Sequence, residues 1–267
     1  MIKLICCDLD GTLLTNDKQI TKENYEAIQK FRQNGGHFVL ASGRPLAGVK
    51  PLIDKLNLNL DSDATLTYNG GVIALNNSGK VLSAHTIKGS LIKDLYYESQ
   101  RLHTNFHFFS NDGTLYTTHH NPYTQVEERI NGISAQLVDI NNIDDDDEFI
   151  KAMMVGESET LDNAKEKLNP KFLNLQVVRS SKIFLEFQSN DVSKGEGLKF
   201  LRDYYNLKDE ETMAIGDEEN DLSMIKAAGF GVAMQNGRDS VKKYAKYITL
   251  SNEESGVAYA IKKILEN

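Results

Sequence analysis

One pattern constrains this chain more than any other: a short apolar run stops at a loop of Asp, Ser, Gly or Asn, a helical stretch follows, and the unit repeats. Lys3 to Cys7 runs into Asp8-Leu9-Asp10-Gly11-Thr12, and Lys22 to Gln33 follows with Tyr25, Ile28 and Phe31 at helical spacing until Gly35-Gly36 stops it. His37 to Leu40 runs into Ser42-Gly43-Arg44-Pro45, where Pro45 suits a first helical turn. Thr65 to Tyr68 runs into Asn69-Gly70-Gly71 and a further run, Val72 to Leu75. After Asp191 the pattern returns. A helix opens near Ser193 with Leu198, Leu201 and Tyr205 on one face. Thr212 to Ile215 ends at Gly216-Asp217, a helix spans Glu219 to Ala227, and Phe230 to Met234 and Tyr247 to Leu250 read as strands before a helix from Val257 to Leu265. Strands alternating with helices in this way predict an α/β fold around a parallel sheet.

The middle of the chain obeys a different rule. Phe106 to Phe109 and Thr114 to Thr117 flank the turn Asn111-Asp112-Gly113, as in an antiparallel hairpin. Leu91 to Arg101 and Glu157 to Leu168 read as helices. Ala152 to Val155, Gln176 to Arg179 and Ile183 to Phe187 read as strands. The expected architecture is therefore a Rossmann-like core, residues 1–81 and 188–267, with an inserted α+β cap domain, residues 82–187.

Composition narrows the partners. A chain of 267 residues with net charge −8 and no Lys/Arg-rich block does not present the basic surface that nucleic acid requires. No apolar stretch has the length of a membrane span, and the N-terminal run stops at Asp8, too short for a signal peptide. Cys6 and Cys7 are adjacent and point to opposite faces of a strand, so they form no disulfide framework. A cytoplasmic setting follows as the expectation. An acidic chain that handles a phosphorylated small molecule also has to supply positive charge locally, from a metal ion or a few placed cations.

Several loops offer suitable residues. Asp8 and Asp10, two residues apart in a turn relaxed by Gly11, can face one cavity. One carboxylate can attack phosphorus while the other protonates the leaving oxygen. An acidic turn has the same composition. Gly216-Asp217-Glu218-Glu219-Asn220-Asp221 follows another strand, and its carboxylates beside Asp8 and Asp10 would repel unless a divalent cation joined them, with Mg²⁺ the best match to hard oxygen ligands. Glu218 and Glu219 suit the first turn of a helix by dipole alone. Ser193 and Glu196 have capping-box spacing, which places Lys194 at the positive end of a helix. A lone first-turn lysine is otherwise most often solvated. Ser42-Gly43 offers a hydroxyl and flexible amides before a helix.

Taken together and in this order, the segments resemble the haloacid dehalogenase superfamily, and within it the Cof-type sugar-phosphatase-like branch. Asp8-Leu9-Asp10-Gly11-Thr12-Leu13-Leu14, Ala41-Ser42-Gly43-Arg44, Ser193-Lys194-Gly195 and Gly216-Asp217-Glu218-Glu219-Asn220-Asp221 are similar to its four motifs, and Tyr68-Asn69-Gly70-Gly71 and Gly231-Val232-Ala233-Met234 also fit the branch. The resemblance implies a Mg²⁺-dependent phosphatase that forms an aspartyl-phosphate on Asp8 and acts on a small phosphorylated metabolite such as a sugar phosphate. It implies Asp10 as acid and base, and metal ligation by Asp8, Asp217 and the backbone carbonyl of Asp10. Phosphoryl oxygens would be held by the Leu9 amide, Ser42, Gly43, Lys194 and Asn220. Asp221, Arg44 and Thr12 would support the site or meet the substrate, Asp221 by orienting Lys194. A large cap between the second and third motifs is a further implication.

Two other functions use similar parts. A phosphomutase or phosphotransferase shares the Asp8 chemistry and differs in the acceptor. A phosphoaspartate receiver clusters carboxylates around Mg²⁺ but needs neither the insert nor a second acid. The acidic run Asp144 to Glu148 lacks the ligand alternation and central Gly of a calcium loop and reads as a solvated linker. His119-His120 has no partner at metal-ligand spacing. The oligomeric state is not encoded in any motif.

Overall fold

The computed structural model describes residues 1–265. The chain separates into two compact units. One comprises Met1–Arg44, Val49–Ser83 and Ser193 onward, and the other Pro45–Gly48 with Ala84–Val192. In chain order the elements begin β1 (Leu4–Cys7), α1 (Lys22–Gln33), β2 (His37–Ala41), α2 (Leu46–Lys55), β3 (Ala64–Thr67), β4 (Val72–Leu75) and β5 (Val81–Ala84). The inserted stretch follows as β6 (Ile87–Lys88), α3 (Gly89–Arg101), β7 (Asn105–Ser110), β8 (Leu115–Thr117), α4 (Pro122–Asn131), β9 (Gln136–Leu137), β10 (Glu148–Val155), α5 (Ser158–Leu168), β11 (Leu175–Ser181) and β12 (Phe184–Ser189). The first unit resumes with α6 (Lys194–Tyr204), β13 (Thr212–Gly216), α7 (Leu222–Ala227), β14 (Phe230–Ala233), α8 (Asp239–Lys242), β15 (Tyr247–Ile248) and α9 (Gly256–Leu265).

The first unit is built on one sheet in the order β15-β14-β13-β1-β2-β3-β4-β5. Pairing is parallel from β15 through β3, and β3 and β4 run antiparallel. All four residues of β1 are buried, as expected of a parallel strand covered on both faces. Leu4 and Cys6 pack with Leu198, Leu201, Met224 and Ile225 from α6 and α7. The buried side of α1 is Asn24, Ala27, Ile28 and Phe31, so Tyr25 does not belong to its core stripe. Asn24 is a buried clasp: its amide donates to the Leu13 carbonyl (3.3 Å), and its carbonyl accepts the Ala258 N–H of α9 (2.8 Å). The strand order turns back at β1, with β13 on one side and β2 on the other, and the C-terminal ends of such strands frame a ligand crevice.

The second unit has its own sheet, β11-β12-β10-β7-β8-β9, with β6 beside β10. Phe106, Phe108, Ala152, Met154, Leu185 and Phe187 alternate along three strands and pack on Ile92 and Leu95 of α3 and Leu161, Ala164 and Leu168 of α5. The intervening positions include buried polar groups beside Phe109, Met153 and Val155. Lys151 Nζ is 3.2 Å from Glu186 Oε1, and His107 Nε2 is 2.9 Å from Thr124 Oγ1 of α4. Sequence periodicity does not reveal α4, because its exposed face carries Ile130 and its buried face is largely polar. Its signature is instead Pro122 in the first turn and the reciprocal cap between Asn121 and Thr124. Within the acidic run Asp145 pairs with Lys93, and Glu148 already belongs to β10. Among the described residues no helix is long and apolar enough to cross a membrane.

Candidate active site

The loops after β1, β2, β3 and β13 and the first turn of α6 bring the candidate residues together in the first unit. Asp8 follows β1 directly, its amide donating to the Ile215 carbonyl of β13 (3.0 Å), and the residue is 7% exposed. The next turn is closed by Leu13 N–H to Asp8 O (3.3 Å) and Leu14 N–H to Leu9 O (2.9 Å). The Leu9 side chain lies in the core, so only its backbone is available to a ligand. Gly11 has φ +84°, and a Cβ there would stand 2.4 Å from Asp217 Oδ2. Glycine is therefore required twice over, for backbone conformation and for the space that Asp217 occupies.

Lys194 is the pivot of the cluster. It is fully buried, and its Nζ lies 2.5 Å from Asp8 Oδ1 and 2.6 Å from Asp221 Oδ1. The solvated first-turn lysine is thus excluded for this position. Ser193 caps α6 by accepting the Glu196 N–H (3.1 Å), and Gly195 lets the helix approach Ser223, to whose hydroxyl it donates at 3.0 Å. Asp221 is also fully buried. Its second oxygen accepts the amides of Asp217 (2.9 Å) and Glu218 (3.0 Å), so most of its acceptor sites are filled from within the chain. Asp217 accepts the Thr12 hydroxyl at 2.6 Å. Glu218 and Glu219 are exposed and pair with Arg238 and Ser240, in keeping with a surface role.

Asp8, Asp217 and Asp221 each offer an oxygen within 4.8 Å of the others, a group that could hold a metal ion. Burial and the neighbouring Asp221 push the Asp8 carboxyl up to about 8 against the pull of Lys194. Asp217 is pushed up to about 6, chiefly by burial, with Thr12 opposing. Three buried carboxylates facing one buried ammonium leave an excess of negative charge in a poorly solvated place, which is the electrostatic demand for a cation.

Asp10 stands apart from that group. Its carboxylate is held by Arg44 and Lys18 and sits in the more exposed part of the loop. These cations hold its pKa below the usual carboxylate range despite the opposing effect of burial. Ser42 is buried after β2, its amide donating to Leu66 O (2.9 Å) and its hydroxyl accepting the Arg44 N–H (3.1 Å). Gly43 faces the Asn69 amide group, which a Cβ would approach to 3.2 Å. Asn69 itself, at φ +59°, accepts from Asn220 Nδ2 at 3.0 Å. Motif reading gives Asn69 a place in the Tyr68-Asn69-Gly70-Gly71 segment but no role, and it leaves Lys18 out. Asn69 had a signal in the Asn-Gly turn, whereas Lys18 had none, since its contact bridges a loop.

The haloacid dehalogenase-like hydrolase family model matches residues 5–261. A Streptococcus pyogenes serotype M6 protein named as a candidate phosphatase is 37% identical, over 100% of this chain and 99% of its own. The 5-amino-6-(5-phospho-D-ribitylamino)uracil phosphatase YwtE of Bacillus subtilis is 30% identical over 99% of this chain and 98% of its own. The crystal structure of a haloacid dehalogenase-like hydrolase from Bacteroides thetaiotaomicron superposes with a TM-score of 0.90 at 35% identity, covering 99% of this chain and 100% of that one. The chain therefore belongs to the haloacid dehalogenase-like hydrolases and is a phosphatase of that family.

Proposed function

We propose that the enzyme hydrolyses phosphate monoesters of small metabolites, sugar phosphates or molecules like them, through an aspartyl-phosphate on Asp8, with Mg²⁺ as its cofactor. The observation that carries this reading is the buried set Asp8, Asp217 and Asp221 around Lys194. Its all-oxygen donors and excess negative charge fit Mg²⁺, and the family generally uses that ion. Asp8 and Asp217 would hold it with the backbone carbonyl of Asp10. When bound, Mg²⁺ supplies charge neutralisation that lets a carboxylate approach an anionic phosphoryl group.

The protein groups then divide the work. An Asp8 oxygen attacks phosphorus in line, the bond to the ester oxygen breaks, and Asp10 gives that oxygen a proton. A water molecule next loses a proton to Asp10 and attacks the same phosphorus, returning Asp8 and releasing inorganic phosphate. Lys194, locked in place by Asp221, offsets charge on the phosphoryl oxygens through both steps, and Ser42, Gly43, the Leu9 amide and Asn220 position them. Asn69 orients Asn220. Asp10 as found is an ionised base, and it serves as an acid only after a cationic partner has loosened.

We assign the inserted residues, 82–187, the choice of leaving group, because no motif of the proposed chemistry lies in them. The test of the reading is turnover of p-nitrophenyl phosphate with Mg²⁺ and with chelator, by the wild-type chain and by Asp8→Asn. Activity should need both the metal and Asp8, with losses of several orders of magnitude in the variant. Near-wild-type turnover by folded Asp8→Asn, or by thoroughly demetallated protein, would remove the mechanism.

A further inference from the structure

The proposed steps leave the cations on Asp10 without a purpose. Arg44 grips the carboxylate as a fork, with Nη2 2.7 Å from Oδ1 and 2.8 Å from Oδ2, and Nε 3.1 Å from Oδ2. Lys18 adds its Nζ at 2.6 Å from Oδ1. Each oxygen thus accepts two donors, and the lone-pair sites of the carboxylate are filled. No site remains from which the group can serve a leaving oxygen, so one donor has to depart first.

The two cations differ in how firmly they are held. The Arg44 side chain is 24% exposed and binds both oxygens through a rigid plane. The Lys18 side chain is 59% exposed and makes a single contact, the kind of pair that contributes little stability and exchanges readily. Lys18 is the donor that yields.

The backbone keeps Lys18 in reach. Its φ is +59°, a left-handed conformation that costs a lysine more than it would cost Asn or Gly. The turn is closed by Lys18 N–H to Thr15 O (2.9 Å) and Thr15 N–H to Gln19 O (2.9 Å). The Asn16 N–H donates to the Glu253 carboxylate at 2.7 Å, which ties the turn to a distant part of the same unit. A residue poorly suited to the turn therefore sits where its ammonium meets Asp10. Together Lys18 and Arg44 set two positive charges against one negative on the leaving-group side, in a chain of net charge −8.

The geometry points to Lys18 as a specificity-determining residue. It favours phosphate monoesters whose leaving group carries a second anion, such as a carboxylate near the ester oxygen. That anion draws Lys18 off Asp10 and frees the oxygen that serves the leaving group, whereas a neutral leaving group has to displace Lys18 uncompensated. The inference rests on the role proposed above for Asp10.

The matched esters 3-phosphoglycerate and glycerol 3-phosphate test it, since they differ in a carboxylate against a hydroxymethyl. kcat/KM for both is measured with Mg²⁺ on wild type, Lys18→Met, Lys18→Arg and Lys18→Asn, the last chosen because Asn suits the left-handed turn. Wild type should favour the acidic ester by about fivefold, the worth of one exposed charge pair. Lys18→Met and Lys18→Asn should bring the ratio close to one by lowering turnover of the acidic ester and raising that of the neutral one. Lys18→Arg should retain the preference. An unchanged ratio in both uncharged variants overturns the inference and leaves the roles of Asp8 and Asp10 standing. So does a wild type that turns over p-nitrophenyl phosphate but not the acidic ester. A wild type that hydrolyses no phosphate ester overturns the reading of the site and this inference with it.

Discussion

Replacing Lys194 with Met tests how the site is held together before any chemistry occurs. Met nearly preserves the volume of the side chain, so the buried space it fills changes little, while the ammonium between Asp8 and Asp221 disappears. Asp221 keeps the amides of Asp217 and Glu218, so most of the penalty falls on Asp8. Removing one member of a buried ion pair costs about 3–5 kcal/mol, because the other charge stays buried without a partner. For a unit of this size each kcal/mol is worth about 2–4 °C, so the midpoint of thermal unfolding should fall by about 6–20 °C. Circular dichroism melts in chelator at pH 9, above the Asp8 value of about 8 so that its carboxylate is ionised, measure this directly. Adding Asp221→Asn to the variant should recover part of the loss, since it removes one of the two stranded carboxylates, and kcat/KM should stay severely reduced in both. A Lys194→Met protein that melts within a degree or two of wild type would show that Lys194 is not the partner on which Asp8 depends.

Gly11→Ala should force a Cβ into the space of Asp217 Oδ2 and impose an unfavourable φ, costing about 1–2 kcal/mol for the backbone alone. Its signature is a Mg²⁺ titration of activity shifted to higher concentration, and an unshifted titration would remove Asp217 from the metal site. His107 gives the second unit an acid-sensitive point. Burial pushes it down to about 4, and the nearby His119 and His120 add to the effect. The unfolded chain takes up this proton near pH 6.5 and the folded one only near 4. Stability from this group is therefore complete above pH 6.5 and is lost as pH falls toward 4. The full effect is about 3 kcal/mol. Urea unfolding monitored on the second unit of wild type and His107→Gln should show the difference in slope across that window, and parallel curves would contradict it.

The sequence makes the parallel sheet legible because its strands are buried on both faces and stop at loops rich in Asp, Gly and Ser. Lys3 to Cys7, His37 to Leu40 and Thr212 to Ile215 leave little room for another reading, and they agree with β1, β2 and β13 to within a residue. Elements stabilised by polar contacts are harder to see. Asn24 looks like a surface residue by type, yet it is buried because it joins the Leu13 carbonyl to the first turn of α9, a pairing across more than two hundred residues. The helix α4 hides for the same reason. At the site, the family resemblance pointed to Asp8, Lys194 and Asp217 as candidates, while residue type and spacing alone could not say that Lys194 is buried or that Asp10 is gripped by Arg44 and Lys18. Those facts depend on which side chains meet in space, and both alter the electrostatics on which the proposed chemistry depends.

The stereochemical course at phosphorus tests the central claim most directly. An isotopically chiral phosphate monoester is hydrolysed in labelled water, and the configuration of the released phosphate is read. Transfer to Asp8 and then to water is two in-line displacements, each inverting, so the account predicts net retention. Net inversion would mean that water attacks the ester in a single displacement, and Asp8 would then not be the nucleophile.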